Sequence, residues 1–134
     1  PADLVGEMPN FASIDVSFIS LTLILPVLKT LLVAGSDVAA LIKPQFEAGK
    51  DQVGKKGIVR DSKVHLQVIN KILDFSIALG YDVQHLTYSP ITGGDGNIEF
   101  LVHLHWSGLK ETGENLLETS AEAIVTEAHE QLKK

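Results

Sequence analysis

The stretch Val38-Ala39-Ala40-Leu41-Ile42-Lys43-Pro44-Gln45-Phe46 decides the fold. Its first five residues are apolar without alternation, and the run stops at a lysine and a proline. Such a run reads as a strand buried on both faces, the kind found in parallel sheets covered by helices. Pro44 has no N–H to give to a ladder, so the strand is expected to stop at Lys43. Lys43 then stands at the carboxyl end of a central strand, and in open α/β sheets ligands bind at that edge.

Upstream of this strand, residues 1–10 show no period and read as a loop. Phe11 to Ser17 (FASIDVS) predicts a short strand ending near Asp15. Ser20 is suited to cap a helix. Leu21, Ile24, Leu28, Leu31 and Leu32 follow helical spacing, with Gly35 as the stop and Pro26 as a kink or a delayed start. Downstream, residues 44–61 form a long basic loop in which Gly49, Gly54 and Gly57 sit among Lys50, Lys55, Lys56 and Arg60. Loops this long in compact domains are usually functional, although a solvated connector has the same composition. Asp61-Ser62 can cap the next helix, whose inward stripe is Val64, Val68, Ile72, Phe75 and Leu79, closed by Gly80. Tyr81 to Tyr88 predicts a strand. From Ile98 to Trp106 the residues alternate, with Ile98, Phe100, Val102, Leu104 and Trp106 on one face and Glu99, Leu101, His103 and His105 on the other. Residues 113–132 predict an acidic amphipathic helix with Leu117, Ala121, Ile124, Ala128 and Leu132 inward.

This order predicts an α/β fold with three parallel strands, one antiparallel strand and helices on the faces. The 134 residues suggest one domain, and a hydrophobic content of 45% suffices for a sizeable core. A net charge of −6 makes the chain as a whole no electrostatic trap for nucleic acid or anionic lipid. There is no cysteine, so neither disulfides nor thiolate chemistry enter. No signal peptide is visible, and the stretch Phe18 to Ala34 is too interrupted by polar residues and Pro26 to span a membrane. A cytoplasmic protein is expected.

The topology makes a geometric claim. Asp15 and Lys43 lie at the carboxyl ends of two strands that run the same way. Glu99 begins a strand that runs back, so it lies at the same rim. Charged groups are rarely buried without partners, and a carboxylate–lysine–carboxylate cluster would satisfy all three. Two readings stay open: a structural ion cluster, or a catalytic site with the lysine as base. His103 and His105 share a strand face, but without further ligands at fixed spacing no metal site is expected. Gly93-Gly94-Asp95-Gly96 precedes a strand and not a helix, so it reads as a turn at the active edge and not as a dinucleotide fingerprint.

Four motifs follow one another in the chain: Asp15-Val-Ser-Phe-Ile-Ser-Leu21, Leu41-Ile-Lys-Pro-Gln-Phe-Glu47, Gly57-Ile-Val-Arg-Asp61 and Ser89-Pro-Ile-Thr-Gly-Gly-Asp-Gly-Asn-Ile-Glu99. Together they resemble the hemolysin A (TlyA) type of FtsJ-like S-adenosylmethionine-dependent methyltransferases, from about residue 11 to about residue 105. The resemblance implies a partial Rossmann-like methyltransferase sheet and methyl transfer from S-adenosyl-L-methionine to a ribose 2′-hydroxyl of ribosomal RNA. The family uses a Lys-Asp-Lys-Glu tetrad. Asp15, Lys43 and Glu99 match its last three members, with Asp15 also facing the cofactor. The first lysine, the glycine-rich cofactor loop and the small S4-like RNA-binding domain have no counterpart here. Residues 1–134 are therefore expected to be the C-terminal part of the methyltransferase domain, inactive in isolation.

A lysine has a reference pKa of about 10.4 and must be depressed to serve as a base, so Asp15 and Glu99 are expected to orient Lys43. Ribosomal RNA or a ribosomal subunit is the implied partner, with Lys50, Lys55, Lys56 and Arg60 against its phosphates. The apolar strand 11–17 is expected to be an open edge, covered by residues 1–10, by further polypeptide or by self-association. Two alternatives belong to other classes. One is membrane lysis, against which stand the lack of a spanning segment and the acidity of the last helix. The other is a catalytically silent RNA- or ribosome-interaction module of the same fold.

Overall fold

The computed structural model describes residues 10–15, 19–54, 57–90 and 96–132. One sheet of four strands organises them, in the order β1 (Phe11–Ile14), β2 (Ser36–Ile42), β4 (Phe100–Trp106) and β3 (Tyr81–Tyr88). β1 and β2 pair in parallel, and β4 is antiparallel to both β2 and β3. Three strands therefore run one way and one runs back. β2 and β3 are not neighbours, because β4 inserts between them. Its insertion lets the strand that follows β3 without a crossover helix pair on both sides.

The helices are α1 (Leu21–Leu28), α2 (Pro44–Glu47), α3 (Ser62–Ala78) and α4 (Ala121–Leu132). Ser20 caps α1 by accepting from the Thr22 amide at 3.1 Å, and Asp61 caps α3 by accepting from the Lys63 amide at 2.9 Å. α1 does not run on to Gly35. Pro26 sits in its last turn, the helix stops at Leu28, and turns lead to Gly35 at φ +84°. The loop 44–61 is not featureless, since it opens on α2 and includes a 3₁₀ turn at Lys50–Gln52.

One apolar core joins Leu21 and Leu25 of α1, Val68, Ile69 and Ile72 of α3, and Ile124 and Ala128 of α4 to Val38, Ala40, Ile42, Phe100, Val102 and Leu104 of the sheet. The alternation expected along β4 is present. β2, however, is not buried on both faces as its sequence predicts: Ser36, Val38, Ala40 and Ile42 are buried, while Asp37, Ala39 and Leu41 are half-buried. The second face of the sheet also carries His85, Leu101, His103 and His105 and has no helix against it among the described residues. The inward face of α3 is rotated from the expected stripe. His65, Ile69 and Ser76 are buried, and Phe75 and Leu79 only partly so.

The predicted helix 113–132 begins only at Ala121. Gly113 explains the delay. A Cβ there would collide with the Tyr81 carbonyl, and its amide donates to the Ile77 carbonyl at 2.7 Å. Residues 113–116 thus lie along β3, with a bridge between Val83 and Asn115, and are not free to coil. β1 is an edge strand, and Phe11 on it is exposed. Val16 and Ser17 of the predicted strand, the loop 1–9 and Gly93, Gly94 and Asp95 lie outside the described residues. No helix among the described residues is long and apolar enough to cross a membrane.

Candidate active site

The strand registers place the site. Ile42 pairs with Phe100 in the antiparallel β2/β4 ladder, so one step outward Lys43 comes opposite Glu99. Ile14 pairs with Ala40 in the parallel β1/β2 ladder, so Asp15 leaves the sheet on the same side. The Ser89 amide donates to the Glu99 carbonyl at 2.8 Å and brings the end of β3 to this rim too.

Lys43 Nζ lies 2.5 Å from Asp15 Oδ1. The lysine side chain is 14% exposed and the aspartate 61%, so the pair sits at a mouth open to solvent on the acid's side. Glu99 is at the rim but does not complete a three-membered cluster. Its Oε2 accepts from Gln45 Nε2 at 3.3 Å. Among the described residues the rim shows two contacts, Asp15 with Lys43 and Gln45 with Glu99. Gln45 was invisible as a site residue because an amide carries no charge to place. Its Oε1 is buried without a partner among the described residues.

Local structure explains why Lys43 is held. Pro44 occupies the first turn of α2, where its fixed φ favours a helix start, and leaves Lys43 extended at the N-cap with φ −109° and ψ 98°. Glu47 closes α2 and is buried. Its Oε1 accepts from Ser20 Oγ at 2.6 Å and its Oε2 from the Leu21 amide at 2.8 Å. The loop after Asp15 and the turn after Lys43 are therefore joined by one carboxylate. Sequence reasoning missed this role. The signal was an acid one turn past Lys43 facing a helix with no acid in its own first turn.

Asn97 makes the second joint. Its Oδ1 accepts from the Val59 amide at 2.9 Å and its Nδ2 donates to the Gly57 carbonyl at 2.9 Å. This fixes Gly57-Ile-Val-Arg against the start of β4 and sets exposed Arg60 at the same rim. Lys55, Lys56 and the side chain of Lys50 lie outside the described residues.

The two histidines of β4 serve a different group. His103 Nε2 and His105 Nδ1 both bond Asp37 Oδ1, at 2.8 and 3.1 Å, and His103 Nδ1 meets His85 Nδ1 at 2.9 Å. The two imidazoles on its oxygen hold the Asp37 carboxyl below the usual range.

The FtsJ-like methyltransferase family model matches residues 1–106. The chain belongs to the FtsJ-like methyltransferase family. It is 62% identical over 133 residues to "Putative rRNA methyltransferase YqxC" of Bacillus subtilis, covering 99% of this chain and 47% of that protein. It is 41% identical over 97 residues to "Hemolysin A" of Brachyspira hyodysenteriae, covering 72% of this chain and 40% of that protein. With the "16S/23S rRNA (cytidine-2'-O)-methyltransferase TlyA" of Mycobacterium tuberculosis it shares 33% over 102 residues, covering 76% of this chain and 38% of that protein. A solved structure of a hemolysin-named protein from Streptococcus thermophilus superposes with a TM-score of 0.90 at 49% identity, over 99% of this chain and 47% of that one. The hemolysin and rRNA-methyltransferase names label one family. The chain spans less than half the length of these relatives.

Proposed function

We propose that this chain carries the RNA-acceptor half of an rRNA ribose 2′-O-methyltransferase, as the C-terminal part of an FtsJ-like domain. The observation that supports this reading most directly is the Asp15–Lys43 ion pair at the rim, with Glu99 one register step across. Lys43, once it has given up a proton and left Asp15 as a neutral amine, receives the proton of the ribose hydroxyl as that oxygen takes the methyl group. Asp15 holds the amine in place before substrate arrives. Glu99, aimed by Gln45, accepts a hydrogen bond from the ribose. Positioning the hydroxyl in this way supplies much of the rate.

S-adenosyl-L-methionine is the methyl donor implied by the family, and the described residues do not by themselves hold it. The amide of Leu21 at the start of α1 is already taken by Glu47, and Asp15 is engaged with Lys43. None of the glycines at positive φ lies between β1 and α1 among the described residues. The donor's site is assigned to polypeptide outside these residues, consistent with the chain's share of its relatives' length. The open edge of β1 is the surface on which that polypeptide, or a second copy of the chain, would pair. The partner is ribosomal RNA or a ribosomal subunit, the compartment is the cytoplasm, and Lys50, Lys55, Lys56 and Arg60 take RNA phosphates.

The test is transfer of labelled methyl groups to rRNA by the longer enzyme carrying Lys43→Ala. Transfer should fall by about 10²-fold or more, the scale of a lost general base, while donor affinity is kept. Undiminished methylation overturns the assignment.

A further inference from the structure

A cleft of about 470 Å³ opens beside the proposed active rim, lined by Arg60, Ser62, Ile98, Thr126, His129 and Glu130. We propose that this cleft takes the base of an unstacked ribonucleotide next to the target, with Arg60 on its phosphate. The proposal rests on the RNA-acceptor reading above and adds where the neighbouring nucleotide sits.

The first argument is construction. Ile98 adjoins Glu99, and Arg60 follows the segment that Asn97 fixes through Val59 and Gly57. Two motifs of the family domain therefore form one wall. The opposite wall is α4, which lies beyond the residues 1–106 matched by the family model. A cleft with one wall inside and one wall outside the segment matched by the family model suits selection of a particular substrate, not the reaction itself.

Rigidity is the second argument. His65 is 1% exposed, and its Nε2 lies 2.9 Å from the Val59 carbonyl. A carbonyl only accepts, so Nε2 carries the proton and Nδ1 must accept from His129 Nε2 at 2.7 Å. The His129 ring is thereby fixed in the cleft wall before any ligand arrives.

The third argument is chemistry. The volume lies in the range of small-molecule sites, roughly 300–1,000 Å³. Ile98 offers an apolar surface for a flat ring, and Ser62, Thr126, His129 and Glu130 add polar groups to the lining. Arg60 supplies the cation and makes no ion pair among the described residues. A net charge of −6 disfavours loose phosphate binding, so affinity here needs a base contact as well. Single-stranded RNA is commonly read through splayed-out bases in such pockets.

The experiment titrates the isotopically labelled chain with each of the four ribonucleoside 5′-monophosphates, with ribose 5-phosphate as the control, and follows the NMR signals. Saturable shifts at Arg60, Ile98, Thr126 and Glu130 with at least one nucleotide, and not with ribose 5-phosphate, are expected. Arg60→Ala should weaken binding roughly tenfold, as expected for one charge-assisted contact, and Thr126→Trp should block the cleft with the fold checked by circular dichroism. Equal shifts with ribose 5-phosphate, or none at the cleft, overturn the proposal. Shifts confined to Asp15, Lys43 and Glu99 overturn the cleft and leave the RNA-acceptor reading standing. Shifts confined to the cleft support it, and the Lys43→Ala transfer assay decides the RNA-acceptor reading separately.

Discussion

Ser20 Oγ donates to Glu47 Oε1 at 2.6 Å across 27 residues of sequence. The same carboxylate takes the Leu21 amide, so the N-terminus of α1 and the end of α2 share one buried acid. Asp15 precedes the first of these and Lys43 the second. A buried residue that touches neither candidate site residue thus ties together the two helix starts that follow them.

Glu47→Ala should therefore destabilise the chain by about 2–3 kcal/mol, because it leaves buried donors without an acceptor. Glu47→Gln keeps the shape and one acceptor oxygen and should cost about half of that. Urea unfolding measures both. Equal stability of all three proteins would remove Glu47 from this role.

The Asp15–Lys43 pair should behave in the opposite way. Asp15 is 61% exposed, and exposed ion pairs contribute about 0–1 kcal/mol. Asp15→Asn should hardly move the unfolding midpoint of this chain, yet lower methyl transfer in the longer enzyme by about 10²-fold or more. A large stability loss with little loss of transfer would favour the structural ion cluster that the sequence left open.

Asn97→Ala should free the segment that carries Arg60. The buried side chain bonds the Val59 amide and the Gly57 carbonyl of that segment, and the loss of both is worth about 2 kcal/mol. Hydrogen exchange should quicken at the Val59 amide, which donates to Asn97, more than at the core of α3. Unchanged exchange at Val59 would contradict the joint.

The rim was legible in the sequence because strand order and direction follow from where helices intervene, and direction alone brings Asp15, Lys43 and Glu99 to one end. The pairing within the rim was not. Glu99 is engaged by Gln45, whose uncharged amide gives no sign in the sequence that it joins the rim. The open second face of the sheet was misread for a related reason. Ala39 and Leu41 are apolar, and apolarity does not reveal that no helix lies over them among the described residues. The late start of α4 was hidden in Gly113, since the residues after it are compatible with a helix, and the approach of the Tyr81 carbonyl together with backbone bonds to Val83 keeps them extended.

The last prediction concerns acid. Burial, aided by His129, holds the His65 pKa down to about 4, below the ordinary 6.5 of an imidazole. Between those values the unfolded chain binds the proton and the folded chain does not. Stability therefore rises with pH across this window, is full above 6.5 and is progressively lost as pH falls toward 4. At 1.36 kcal/mol per pKa unit the loss approaches about 3 kcal/mol. Asp37 and Asp82 contribute separately and at lower pH. Their carboxyls are held low, Asp37 by His103 and His105, and Asp82 by Lys110 and the Glu114 amide against its burial. His65→Phe removes the titrating ring while filling the space. Urea midpoints taken from pH 7 to pH 4.5 should slope downward in the parent and flatten in this variant. Parallel slopes would show that the acid sensitivity lies elsewhere.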